Sequence, residues 1–174
     1  MAVLESAYSR GGHLIRRTYQ IAQGLFLDET AELGLTSVQY SALNAIVELP
    51  DLDQITLSRL IAFDKTTLVK VLDRLATKGL ITRERSTTDR RCLVLNATPE
   101  GRKVIQDILP MLERAQDRLL APLAPDEQIV FLSLLSKIVH VNNIYSRVPL
   151  DQKLYDGVQQ RMEERKAAEI VAGG

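Results

Sequence analysis

A chain of 174 residues, 45% hydrophobic and 25% charged, has enough apolar content to bury one good core or two small ones, which argues against disorder on the whole-chain scale. No apolar run reaches the roughly eighteen residues of a membrane span and no charged-then-apolar leader opens the chain, so a cytoplasmic protein without membrane association is expected. One cysteine (Cys92) and two histidines (His13, His140) give neither an internal disulfide nor a metal cluster, and no phosphate loop, nucleophile elbow or zinc-protease motif points to an enzyme or a cofactor.

The first helical pattern runs over about residues 6–32, with Leu14, Thr18, Ile21, Leu25 and Phe26 at helical spacing and Gly34 as its stop. Thr36 or Ser37 caps a second helix that ends before Pro50, and the turn Asp51-Leu52-Asp53 follows. Thr56 is expected to cap a third helix over about residues 57–62, and Asp64 a fourth, because a side-chain oxygen at that position accepts from orphan backbone N–H groups. In the fourth helix Leu68, Val71, Leu72 and Leu75 form an inward stripe, which leaves Lys65, Thr66, Thr67, Lys70 and Arg74 mostly outward. Gly79 ends that helix, and two runs of strand formers, residues 80–83 and 92–95, flank a polar loop as a hairpin.

Pro99 opens a long helix to about Leu120, which Pro110 should kink without ending. Pro125-Asp126-Glu127 opens a last strong helix whose Ile129, Val130, Leu132, Leu134, Leu135, Ile138 and Val141 cover too wide an arc for a small monomer with one wet face. A homodimer sharing the first and last helices is therefore expected. From Pro149 the chain turns polar, consistent with a marginal helix and a frayed tail.

A short helix, a turn, a second helix and two strands around a polar loop is the order of a winged helix-turn-helix, a module that binds duplex DNA. The charge distribution agrees. Between Ile55 and Lys103 eleven basic residues face five acids, a sum of +6, so the remainder of this chain of 22 basic and 22 acidic residues must sum to −6. A local positive field over an acidic body suits phosphate contacts at one surface. The expected architecture is mainly α with a small β-hairpin wing. Residues 35–98 form the DNA-binding domain, 1–34 and 99–148 the helical dimerisation region, and 149–174 a polar extension.

From Leu35 to Gly101 the chain resembles the MarR family of bacterial transcription regulators. LTSVQYSALNAI is similar to the family's second helix, DKTTLVKVLDRLATKGLITR to its recognition helix and exit, and DRRCLVLNATPEG to its wing and the start of its fifth helix. The Asp-x-Arg element of the wing falls on Asp89 and Arg91. Ala97-Thr98 stands where Leu-Thr is usual, which affects only local packing, and the helical resemblance extends to about residues 8–147. The resemblance implies a homodimer with interlocked first, fifth and sixth helices, a pseudo-palindromic operator, and a repressor released by a small molecule or by oxidation.

On that footing Thr66, Thr67 and Lys70 are expected nearest base edges, with Lys65, Arg74, Thr56 and Arg59 near phosphates. Arg90 or Arg91 is expected in the minor groove, with Asp89 pairing the other to fix the loop. The resemblance also implies an effector cleft between the dimer helices and the winged domain. His13, Arg16 and Arg17 would meet a carboxylate there, and Tyr19, Tyr40, Asn44 and Phe63 would line the walls. An His-x-x-Arg-Arg start is similar to the branch of the family that answers to aromatic carboxylates or their coenzyme A thioesters. Two alternatives stay open: a winged-helix module used for protein contacts without DNA, and a redox sensor using Cys92, against which stands its place at the start of an apolar strand.

Overall fold

The computed structural model of the chain describes residues 8–85 and 93–160. In order these form α1 (Gly11–Glu29), a short 3-10 turn (Ala31–Leu33), α2 (Ser37–Glu48), β1 (Leu52–Asp53), α3 (Gln54–Leu60), α4 (Lys65–Thr77), β2 (Ile81–Arg85), β3 (Leu93–Ala97), α5 (Pro99–Leu120) and α6 (Pro125–Val141), followed by a 3-10 turn (Asn143–Tyr145). Residues 152–160 are helical as well. Two compact units emerge, one drawn from the chain up to Ser37 together with Gln106–Leu134, the other from Val38–Ile105 together with the chain from Leu135 onward.

In the first unit α1 stops at Glu29, earlier than the hydrophobic pattern suggests. The 3-10 turn completes the path to Gly34, whose φ of 58° is the left-handed conformation that ends a helix at little cost to glycine. Two arginines of α5 return to the end of α1: Arg114 Nε donates to Glu29 Oε2 at 2.9 Å, and Arg118 Nη1 donates to Glu29 Oε1 at 2.7 Å and to Asp28. Hydrogen bonds from Arg118 and then Arg114 hold the Glu29 carboxyl below its usual range. Exposed ion pairs add little stability singly, so the network chiefly sets the register of the two helices. Pro110 lies inside an α5 that continues past it to Leu120, as expected.

The second unit holds the winged helix-turn-helix. Leu43 and Ile46 of α2, Leu57 of α3, and Leu68, Leu72 and Leu75 of α4 are fully buried, and Leu80, Ile81 and Leu95 close the core from the sheet side. The sheet has three antiparallel strands in the order β1-β3-β2, not two, with Leu52 opposite Leu95 and Ile81 opposite Ala97. A two-residue strand has no periodicity to read. It forms because Leu52 is buried and Asp51, at a φ of 59°, is locked by a reciprocal pair: its N–H donates to Asn96 Oδ1 at 3.0 Å and Asn96 Nδ2 donates back to Asp51 Oδ1 at 2.9 Å.

The third helix starts earlier than its sequence signal. Asp53, not Thr56, is the N-cap: its Oδ1 accepts from the N–H groups of Ile55 (2.8 Å) and Thr56 (3.0 Å), and its Oδ2 accepts from the Thr56 hydroxyl. A carboxylate with two free oxygens satisfies more orphan donors than one hydroxyl, which is why it wins the position. Partial burial would raise the Asp53 carboxyl, but the bonds from Thr56 and Ile55 together outweigh it and lower its pKa.

The start of α5 is tightly fitted to the end of α4. Leu80 N–H donates to Leu75 O, Thr98 N–H donates to Leu80 O, and the Thr98 hydroxyl accepts from Gly101 N–H while donating to Gly79 O. Gly101 lies against Leu80 so closely that a Cβ there would stand 2.1 Å from the Leu80 carbonyl oxygen.

Farther along, the polar stretch from Pro149 is anchored to this unit. Asp151 N–H donates to Arg59 O at 3.1 Å, Asp151 Oδ1 caps the following helix by accepting from Leu154 N–H, and Asn143 holds Leu150 through both its amide atoms. Val158 is 5% exposed. By contrast α6 buries no residue within the chain. Its Val130, Leu134, Ile138 and Val141 form one apolar stripe and Ile129, Leu132 and Val139 a second beside it, all between 42% and 72% exposed.

Candidate nucleic-acid interface

Helix α4 is positioned from beneath by its leucine stripe and from its N-terminus by Asp64. The carboxylate accepts from Thr67 N–H at 2.9 Å and from the Thr67 hydroxyl at 2.6 Å, and these bonds depress its pKa. The turn from α3 is tight. Ala62 adopts a φ of 53°, Phe63 N–H donates to Ser58 O, and the buried Ser58 hydroxyl donates to Phe63 O at 2.8 Å.

What remains outward on α4 is Lys65, Thr66, Val69, Lys70, Asp73, Arg74 and, at its end, Thr77. Lys65, Thr66, Lys70 and Arg74 are thus exposed on one helix, whereas Thr67 is half-buried with its hydroxyl engaged by Asp64. Val69, 44% exposed, was not singled out by sequence reasoning, although its place between Thr66 and Lys70 on the polar face was the available signal. An exposed apolar side chain there matches the chemistry of a thymine methyl. Asp73 pairs with Arg83 of β2 at 2.7 Å, fixing the strand beside the helix and offsetting one of the basic residues.

Thr56 is half-buried, its hydroxyl given to Asp53, and Arg59 is exposed at the end of α3 with its backbone carbonyl taken by Asp151. The wing residues Asp89, Arg90 and Arg91, and Cys92 with them, lie outside the described residues. In the described parts of 55–103 nine basic residues face four acids, so a sum of +5 remains without the loop.

The residues expected around an effector are divided between the two units. His13, Arg16, Arg17 and Tyr19 lie on α1. Arg16, Arg17 and Tyr19 are exposed, Arg17 Nη1 donates to Gln20 Oε1 at 2.9 Å, and the His13 ring meets Tyr8 edge-on with centroids 5.0 Å apart. In the second unit Tyr40 and Asn44 of α2 line one cavity of about 300 Å³ together with Ser41, Ala45, Glu48, Leu60 and Ile61, and with Leu150, Tyr155, Val158 and Gln159 of the anchored C-terminal stretch. Phe63 does not line it. Burial, and then the nearby charge of Glu48, raise the Tyr40 pKa, so its hydroxyl stays protonated.

Residues 35–93 match the sequence profile of the MarR family. The chain is 29% identical over 128 residues to the transcriptional regulator HosA of Escherichia coli, an alignment covering 74% of this chain and 93% of HosA. The PcaV transcriptional regulator of Streptomyces coelicolor, solved in complex with its natural ligand, is 36% identical and superposes with a TM-score of 0.69 over 76% of this chain and 93% of PcaV. The transcriptional repressor CouR, bound to a 23-mer DNA duplex, is 28% identical with a TM-score of 0.71 over 76% of this chain and 94% of its own.

Proposed function

The chain belongs to the MarR family of transcription regulators, and on that premise we propose that it is a cytoplasmic homodimeric repressor that grips a pseudo-palindromic operator through α4 and releases it when a small effector binds. One observation carries the DNA reading: an inward leucine stripe and an N-terminal Asp64 cap aim Thr66, Val69 and Lys70 outward between the cations Lys65 and Arg74. Short polar and apolar side chains read base edges, while flanking cations position the helix on phosphates. The similarity to CouR, a repressor solved on a duplex, supports the same use.

Selection from a randomised duplex pool should enrich inverted half-sites about one helical turn apart. Binding to the selected duplex should weaken steeply with salt, and Arg74→Ala should lower the slope of log K against log[salt] by about one. Affinity independent of salt would overturn the reading.

The effector we assign is an aromatic carboxylate or its coenzyme A thioester, met by the exposed guanidinium groups of Arg16 and Arg17 beside His13 and Tyr19. A planar guanidinium matches a carboxylate bidentately, and PcaV, at 36% identity, was solved with a natural ligand. Adding 4-hydroxybenzoate should weaken duplex binding, and the duplex should weaken 4-hydroxybenzoate binding by the same factor. Arg16→Ala and Arg17→Ala should remove the response and leave ligand-free affinity intact. A full response in both variants would move the effector site off α1.

A further inference from the structure

Helix α3 is seven residues long and runs into a strained turn. A helix of that length is marginal by itself, and the carbonyls of its last turn need donors from elsewhere. Leu57 O and Ser58 O accept from the N–H groups of Ile61 and Phe63, but the donor to Arg59 O, at 3.1 Å, is the Asp151 N–H from beyond α6. Just past this point Ala62 takes its φ of 53°, a conformation that a Cβ disfavours and that persists only where the surroundings over-determine it. The paired bonds between Ser58 and Phe63 close the turn from within. Asp151 supplies a fixed point outside it.

The segment that carries Asp151 is itself fastened at both ends. Asn143 Nδ2 donates to Leu150 O at 2.8 Å and Leu150 N–H donates back to Asn143 Oδ1 at 2.9 Å, so the residue before Asp151 is tied to the 3-10 turn that follows α6. On the other side Asp151 Oδ1 caps the helix over 152–160, in which Val158 is buried. Leu150 and Tyr155 line both the cavity shared with α2 and α3 and a second one, of about 200 Å³, shared with Ser136, Val139 and His140 of α6.

We propose that residues 143–160 are a strut from the end of α6 to the end of α3, which keeps Ala62 in its left-handed conformation and thereby sets the direction in which α4 presents Thr66, Val69 and Lys70 to DNA. Without the bond to Arg59 O and the cover beside Leu60 and Ile61, Ala62 gains by relaxing to an ordinary backbone conformation, and a rotation there swings α4, which starts at Lys65. The effect on DNA rests on the regulator reading. The state of the turn does not.

Two variants of the full chain test the strut. Val158→Asp should undock the C-terminal helix, and Asn143→Ala, at a half-buried position outside the core, should remove both bonds to Leu150. With circular dichroism unchanged, amide exchange at Ile61 and Phe63 should accelerate about tenfold in Val158→Asp and about threefold in Asn143→Ala, while exchange at Leu72 of α4 stays the same. Affinity for the selected duplex should fall by similar factors, the scale of one strained residue relaxing. Adding Ala62→Gly to Val158→Asp should bring affinity back to within about threefold of the parent, because glycine holds the left-handed conformation without help. Unchanged exchange in both variants, faster exchange with full duplex affinity, or no recovery with Ala62→Gly would each overturn the proposal. A parent chain that binds no duplex refutes the regulator reading whatever the exchange rates, whereas a parent that binds duplex with both variants unchanged refutes only the strut.

Discussion

Gly101→Ala is expected to destabilise the protein by about 3 kcal/mol, the upper end of what overpacking usually costs. The added methyl would stand 2.1 Å from the Leu80 carbonyl oxygen, 3.1 Å from its carbon and 3.3 Å from Leu43 Cδ1. Neither side can yield cheaply. Leu80 is bonded to Leu75 on one side and Thr98 on the other, and Leu43 is fully buried. Gly79→Ala makes a suitable comparison, because a methyl there meets nothing within 4 Å and the cost arises only from a φ of +72°, about 1 kcal/mol. Urea denaturation of the two variants should therefore separate them by about 2 kcal/mol. Equal losses would mean that the first turn of α5 slides freely past Leu80.

If the proposed homodimer forms through α6, Leu134→Asp is expected to yield monomers at micromolar concentration and to abolish specific duplex binding. Leu134 is 56% exposed on a helix with no fully buried residue, so its apolar stripes are available to a second copy. In a symmetric dimer the substitution places a carboxylate in the interface twice, and each unpaired buried charge costs several kcal/mol, about 3 or more. Sedimentation should show the smaller species, and unchanged circular dichroism would show that the subunit stays folded. A dimer that persists with full operator affinity would place the interface elsewhere.

Much of the architecture is legible where one local rule acts alone. The α4 stripe of Leu68, Val71, Leu72 and Leu75 follows helical spacing without interruption, and Asp64 caps the helix as its sequence indicates. Legibility fails where two local rules compete. Asp53 and Thr56 both qualify as caps three residues apart, and the choice depends on which backbone N–H groups remain unsatisfied in the folded chain. The same competition takes the hydroxyl of Thr67, assigned to base edges from its outward position yet bonded to Asp64.

Features that depend on a distant partner were the hardest to read. β1 exists because Leu52 and Asp53 find Leu95 and Val94, some forty residues on. The cavity joins α2 and α3 to a stretch about a hundred residues later, whose only local sign was Leu150, Leu154 and Val158 recurring every four residues behind an Asp151 cap. Periodicity names a face that will be covered. It does not name what covers it.

The bond from Asp151 to the Arg59 carbonyl, with Val158 buried nearby in sequence, ties two distant parts of the gene to a single folded unit. Residues 35–98 are therefore not a portable cassette: cut out alone, they would uncover the side of Ala45 and Leu60 that shares a cavity with Leu150 and Val158. A chimera that exchanges the DNA-reading segment with a relative must carry the codons for 150–160 along with it. In recombination, the two stretches would have to be exchanged together, although the coding sequence of α5 and α6 lies between them.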